Sequence, residues 1–202
     1  GTWFEAAEFT AFMAQVPTHV VVVLDEAYGE FVTATDALDG LQALPKYPNL
    51  IVSRTLAKAY GLASLRVGYA VASAEITNII NRVRQPFNVN SLALIAAAAA
   101  ITDDAFVAKT RALNQAGMQQ WLDGLAALGL SAMPSRGNFL CVDMQQEAAP
   151  LFQALLREGV IVRPVGNYGL PRHLRISIGL AEENTFALNA LQGVLAASRA
   201  AS

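Results

Sequence analysis

At 202 residues, with 54% hydrophobic and 15% charged side chains, the chain is long enough to bury a sizeable core and lacks the composition of a disordered tail. A net charge of −2 gives no basic footprint for nucleic acid and no acidic block of the kind that forms an interaction tail. The single cysteine, Cys141, excludes an internal disulfide, and it and two isolated histidines make no metal-ligand cluster.

In chain order, Thr2 is placed to cap a helix from Trp3 to Gln15, with Glu5 completing a capping box and Trp3, Phe4, Phe9 and Phe12 buried along one side. Within VVVVLDEAY, the continuous apolar run Val20 to Leu24 predicts a parallel strand buried on both faces and ending at Asp25. Turn signals at Asp39-Gly40 and Pro45 punctuate the stretch Gly29 to Pro48, whose middle, Ala37 to Leu44, reads as a short helix. A strand at Leu50 to Val52 then enters a turn bearing Ser53 and Thr55, followed by Lys58, a glycine-containing loop, Arg66 and a strand over Val67 to Ala72. Ser73 to Arg84 reads as a helix capped by Ser73 or Ala74-Glu75, and RQPFNVNSLA as an extended piece broken by Pro86. Ser91 then caps an alanine-rich helix suited to burial between neighbours. Its apolar run, Leu92 to Ile101, is too short to span a bilayer.

Thr102-Asp103-Asp104 starts a long helix that ends near Leu128 before Gly129. Beyond it the pattern shortens to a strand at Asn138 to Met144, a helix at Ala148 to Glu158, strands at Val160 to Pro164 and Leu174 to Gly179, and a helix from Glu182 to about Ser198. The final two strands are expected to pair antiparallel within a small α/β lid. Cys141 lies in an apolar strand and reads as a small buried hydrophobe. His173, beside Arg172, reads as a solvated turn residue, because an isolated imidazole needs a positioned partner to act.

The chemistry concentrates in SRTLAKAYGLASLRVGY, Ser53 to Tyr69. A lysine amine just past a strand end can condense with an aldehyde, while a hydroxyl three residues before it and an arginine eight after hold a phosphate on the same molecule. Pyridoxal phosphate presents both groups. Arginine suits the anchor because its planar fork grips phosphate oxygens bidentately. The chain has two other lysines: Lys46 precedes a Tyr-Pro turn, and Lys109 lies in an amphipathic helix. Asp25 stands at the carboxyl end of a strand, where open α/β sheets bind ligands, and can pair with a pyridinium nitrogen; Tyr28 can bond the ring's phenolic oxygen. An apolar strand followed by Asp-Glu also occurs in nucleotide hydrolases, but those enzymes need a Gly-Lys phosphate loop, and this chain contains no Gly-Lys dipeptide.

VLDEAY followed by SRTLAKAYGLASLRVGY resembles the aspartate-aminotransferase fold family, most closely its histidinol-phosphate branch. The resemblance implies an α/β, fold type I, pyridoxal-phosphate-dependent aminotransferase. It makes Lys58 the lysine that holds the cofactor and Asp25 the partner of its ring nitrogen, with Tyr28 on the phenolic oxygen and Thr55 and Arg66 on the phosphate. Arg175, in LRISIG, and Arg163, in GVIVRP, are implied to hold the substrate's anionic group. Ala57 stands where the branch usually has serine, which removes one phosphate hydroxyl. The implied substrates are histidinol phosphate and 2-oxoglutarate, with an aromatic amino-acid aminotransferase as the alternative donor class. A cytoplasmic homodimer is expected, with no membrane or nucleic-acid partner. Residues 1–102 are expected to be part of the cofactor-binding large domain and 103–202 the small C-terminal domain. Because the family's preceding Asn-Pro-rich loop is not in the sequence, the 202 residues are also expected to be a C-terminal portion, incomplete as an enzyme by itself.

Overall fold

The structure is a computed structural model and describes residues 1–32 and 38–200. It contains two compact units: Phe4–Arg111, and Ala112–Ser202 together with Gly1–Trp3. The division falls inside one long helix.

In the first unit, α1 (Ala6–Met13) starts later than the sequence pattern suggests. The capping box is formed by Glu5 and Glu8, not Thr2 and Glu5, and of the four expected aromatics only Phe9 is buried. Strand β1 (Val22–Asp25) is followed by a 3-10 turn at Gly29–Phe31 and the short helix α2 (Gly40–Ala43); Ala37, where a helix was expected to begin, lies outside the described residues. Strand β2 (Leu50–Thr55) pairs parallel with β1, and β3 (Gly68–Ala72) pairs antiparallel with β2. Ser53 and Thr55 therefore belong to the strand itself rather than to the turn after it.

Leu24, Leu50 and Val52 alternate toward Phe9 and Met13 to form this unit's core. Full burial of each such aliphatic side chain contributes roughly 1.5–3 kcal/mol. The same alternation puts Val23 on the other face, where it is 61% exposed. The continuous apolar run thus overstated burial: among the described residues one face of β1 is covered, not two. Helix α3 (Ala74–Val83) is capped by Ser73, whose hydroxyl accepts the Ile76 N–H. Helix α4 (Ser91–Ala100) is capped by Asn90 instead of Ser91, and it buries only Ala93, leaving Leu92 and Ile95 exposed. Its all-round apolar pattern was read as burial between neighbours, and the described residues do not supply them. The long helix α5 (Asp104–Ala127) begins with the Asp103 carboxylate accepting the Phe106 N–H. It ends at Gly129, whose φ of 72° lets the Leu130 N–H turn back to the Leu125 carbonyl.

The second unit is a four-stranded antiparallel sheet in the order β4-β5-β7-β6, backed by helices. It comprises β4 (Ser131–Met133), β5 (Phe139–Asp143), α6 (Ala148–Arg157), β6 (Arg163–Val165), β7 (Leu170–Ser177) and α7 (Ala181–Ala200). The short strand β4 has no counterpart in the sequence reading, since three residues carry too little periodicity to register. Leu140, Val142, Leu174 and Ile176 point to the core with Trp121, Leu151, Leu155 and Leu191. Residues between them, including Cys141 and Arg175, face the other way and are half-buried. His173 lies within β7, opposite Asp143, and not in a turn. No single described helix is long and apolar enough to cross a membrane.

One buried polar knot organises this second core. The Asn184 side-chain carbonyl accepts from Trp121 Nε1 at 2.8 Å and from the Gly179 N–H at 2.9 Å, while its amide donates to Gln120 and to the Gly179 carbonyl. Asn184 is 2% exposed, so every lost bond there is lost without water to replace it. Asn184→Ala is expected to destabilise this unit by about 2–4 kcal/mol, because the Trp121 and Gly179 groups would remain buried and unpaired. Urea unfolding followed by the fluorescence of Trp121 measures it.

Candidate active site at the carboxyl ends of the parallel strands

The parallel register puts Asp25 opposite Ser53, and the ladder continues one step further with the Glu26 N–H bonding the Ser53 carbonyl at 2.9 Å. Asp25 and Ser53 share one face of the sheet. Asp25 Oδ1 accepts the Ala27 N–H at 3.1 Å and lies 3.4 Å from Ser53 Oγ. Both contacts fall on one oxygen of an exposed carboxylate, so among the described residues Oδ2 is left to meet a donor.

Two residues beyond Ser53, the Thr55 hydroxyl accepts the Ala57 N–H at 3.1 Å and starts the loop that carries Lys58. Leu56 and Ala59 anchor that loop at 2% and 1% exposure, and Lys58 between them is exposed. Its ammonium lies over the Tyr28 ring, 5.2 Å from the centroid, a cation–π distance. The loop closes through the Gly61 N–H to the Lys58 carbonyl, with Gly61 at φ 72°. After a 3-10 turn at Ala63–Leu65, Arg66 takes a left-handed conformation at φ 51°, ψ 48°. That conformation is uncommon for a residue with a side chain and costs about 1–2 kcal/mol. The Arg66 guanidinium is exposed and donates to the Ala63 carbonyl at 2.9 Å. Arg66 is brought alongside through backbone pairing: the Leu56 N–H bonds the Val67 carbonyl, and Thr55 stands opposite Gly68.

Asp25, Tyr28, Thr55, Lys58 and Arg66 are thus assembled at one end of the three-stranded sheet. Arg163 and Arg175 belong to the second unit, where they are direct cross-strand partners on β6 and β7. Like charges directly opposite one another on one rung repel. The Arg175 guanidinium also stands over the Phe139 ring at 5.2 Å. No ion pair involves either arginine among the described residues.

Behind the first group lies a set of charges that reading the motif residue by residue passed over. Glu26 and Arg54 point to the face opposite Asp25 and Ser53, and form a bidentate contact with Arg54 Nε and Nη2 at 2.8 and 2.7 Å from Glu26 Oε2. The available signal was strand alternation, since Arg54 sits between two hydroxyl residues of the motif. Glu30, in the 3-10 turn after Tyr28, has its carbonyl held by Arg111 Nε at 2.8 Å, and its Oε2 is buried without a hydrogen-bond partner among the described residues. Burial pushes the Glu30 carboxyl above the ordinary glutamate range, with Arg54 and Arg111 opposing and Glu26 assisting.

The fold and this arrangement define an α/β protein with an exposed amine, a carboxylate and a guanidinium at the ends of parallel strands. The chain belongs to the aminotransferase class I and II family, whose model matches residues 1–191. It is 61% identical over 196 residues to histidinol-phosphate aminotransferase 2 of Pseudomonas fluorescens, which covers 97% of this chain and 53% of that protein. It is also similar to the crystal structure of histidinol-phosphate aminotransferase from Sinorhizobium meliloti in complex with pyridoxal-5'-phosphate. There the TM-score is 0.89 at 30% identity, covering 98% of this chain and 55% of that one. A Thermus thermophilus aspartate aminotransferase tetra mutant complexed with tryptophan gives a TM-score of 0.82 at 26% identity, over 95% and 53% of the two chains. The fold is therefore that of the aspartate aminotransferases, fold type I. The chain spans about half the length of the relatives it matches.

The raised Glu30 carboxyl makes a signed prediction. The folded chain keeps this proton to higher pH than the unfolded chain does, so the stability it contributes is fullest below the unfolded value and is lost as pH rises through the folded one. Glu30→Gln is expected to raise the thermal midpoint above that of the unaltered protein at about pH 8 and to leave the two level near about pH 4. Paired thermal melts by circular dichroism check it.

Proposed function

We propose that the protein is a pyridoxal-phosphate-dependent aminotransferase that moves the amino group of histidinol phosphate to 2-oxoglutarate, in histidine biosynthesis. The observation that carries the reading is the approach of the Lys58 ammonium to the Tyr28 ring beside a strand-end aspartate whose second oxygen is unclaimed among the described residues. The residues fit the cofactor group by group. Lys58 offers an exposed amine to an aldehyde, and Asp25 Oδ2 an acceptor for a ring N–H. Tyr28 offers a phenol, and Thr55, whose oxygen already accepts the Ala57 N–H, keeps its hydroxyl proton to donate to phosphate. The Arg66 guanidinium makes one backbone contact, through Nη1, and has donors to spare. Ala57 adds no hydroxyl, so phosphate binding in this chain rests on Thr55 and Arg66.

Pyridoxal phosphate, when bound, supplies an electron sink for the pair left behind when a proton leaves the substrate's amino-bearing carbon. Asp25, as a carboxylate, holds a proton on the ring nitrogen and so favours that delocalisation. Lys58, in its deprotonated form, takes the proton from the substrate carbon and later returns one, acting as base and then acid. Tyr28 orients the ring through its hydroxyl and shapes the ground beneath the lysine. The paired Arg163 and Arg175 are assigned to the substrate's anionic group, where a phosphate dianion satisfies two neighbouring guanidiniums better than a single carboxylate charge does. We place residues 1–102 in the cofactor-binding domain and 103–202 in the small domain. The protein is assigned to the cytoplasm as a homodimer; the exposed Val83, Phe87, Leu92 and Ile95 offer apolar surface that a second copy covers.

Borohydride reduction of the cofactor-loaded complete protein, followed by peptide mapping, is expected to fix the label on Lys58. Label on Lys46 or Lys109 instead would overturn the assignment. Arg66→Lys is expected to weaken cofactor binding by roughly 1–3 kcal/mol, since a point charge replaces a planar fork.

The two arginines separate by substrate. Arg175→Ala is expected to leave the visible absorption of the lysine-bound cofactor intact while lowering turnover of every anionic donor. Arg163→Ala is expected to penalise histidinol phosphate more than phenylalanine in parallel kcat/KM measurements. Equal losses for the two donors would remove the case for a phosphate-bearing substrate.

A further inference from the structure

We propose that the Glu26–Arg54 pair is a positioning device for the site, clamping the carboxyl ends of β1 and β2 from the reverse face so that Asp25 and Lys58 hold their places. The inference rests on the reading of Lys58 and Asp25 given under Proposed function and adds two residues that touch neither cofactor nor substrate there.

Four observations carry it. Glu26 follows Asp25 directly, and Arg54 lies one residue before Thr55 and four before Lys58, so the clamp shares its backbone with both halves of the site. Alternation sends Glu26 and Arg54 to the face opposite Asp25 and Ser53, so they cannot serve the site by contact. The pair is built to be rigid. Both Arg54 nitrogens converge on Glu26 Oε2, while Glu26 Oε1 accepts the Gly40 N–H at 2.6 Å and Arg54 Nη2 reaches Asp39 Oδ1 at 3.3 Å. The Glu26 and Arg54 side chains are 9% and 23% exposed, so water offers little competition for these bonds. Gly40 fits this approach because it has no side chain: a Cβ there would stand 2.6 Å from Leu24 Cδ2, 2.7 Å from Glu26 Oε1 and 2.9 Å from Val52 Cγ2. The clamp therefore ties three backbone segments, β1, β2 and the start of α2, at the level of Asp25.

Holding two parallel strand ends in exact register matters because a displacement of about 1 Å at a catalytic group costs orders of magnitude in rate. An ordinary ion pair on the far face would stabilise the sheet without affecting the site. A positioning pair changes how the site binds.

The test uses the complete protein and the variant Arg54→Lys, which keeps the charge and loses the fork. Two quantities are read: the dissociation constant for pyridoxal phosphate by absorbance titration, and the pH midpoint of the visible band of the lysine-bound cofactor. Arg54→Lys is expected to raise the dissociation constant about tenfold or more and to move the band midpoint, with the far-ultraviolet dichroism unchanged. Arg172→Lys, which alters the exposed Arg172–Asp143 pair of the other unit, is expected to move neither. Glu26→Gln is the second variant, and it retains an oxygen for the Gly40 N–H. Wild-type affinity and band midpoint in either folded variant overturn the proposal. Failure of both variants to fold makes the pair a general stability element and overturns it equally. A wild-type protein whose borohydride label does not fall on Lys58 overturns the reading of the site, and the clamp with it.

Discussion

The parallel register of β1 and β2 is the constraint on which the first unit depends. One rung, Asp25 opposite Ser53, decides which side chains share a face at the strand ends. A slip of one residue would exchange every side chain of β1 between faces, carrying Asp25 to the Glu26 side and Leu24 out of the core. Register is supported by burial: Leu24, Leu50 and Val52 pack inward with Phe9 and Met13, and a one-residue slip would turn Leu24 outward. The core and the site are thus set by the same alternation, read at different points along the strands.

The lysine loop illustrates how a small number of local bonds presents an exposed amine. Two buried apolar residues, Leu56 and Ala59, hold its ends, and the Thr55 hydroxyl replaces a missing strand partner for the Ala57 N–H. Lys58 is left exposed between them, with the Tyr28 ring beneath its ammonium. Gly61 and Arg66 both take left-handed backbone conformations. At Gly61 this is free of a side-chain penalty, whereas at Arg66 it is a local strain that the surrounding pairing of β2 with β3 sustains.

Electrostatics in the two units follow opposite arrangements. The first unit pairs its charges: Glu26 with Arg54, and Arg54 also with Asp39. The second sets Arg163 directly beside Arg175, a like-charge rung with no ion pair among the described residues. The one described ion pair of that unit, Arg172 with Asp143, draws the Asp143 carboxyl below its usual range through the hydrogen bonds it receives, and it is exposed enough to contribute little to stability.

How far the residues alone reach can be judged element by element. The lysine motif, the strand before Asp25, the Ser73 cap and the Gly129 stop were legible because each depends on local chemistry: a hydroxyl three residues before an amide, a glycine at positive φ, an apolar run. Helix α1 starts later than the apolar stripe suggests, because Trp3 and Phe4 both stay exposed: Trp3 stacks with Arg136, and Phe4 only with the ring of Phe9. The alanine-rich α4 and the valines of β1 were read as buried, yet composition states only that a face is apolar, and whether something covers it is settled by tertiary neighbours. His173 passed for a turn residue since its strand carries alternating polar side chains. By itself the sequence determined most of the elements, the lysine motif and the family resemblance, all of which rest on neighbours within a few residues. Only the tertiary structure decided that Glu26 meets Arg54 across 28 positions and that Arg163 stands beside Arg175, because pairing between distant segments depends on strand register, which no local pattern encodes.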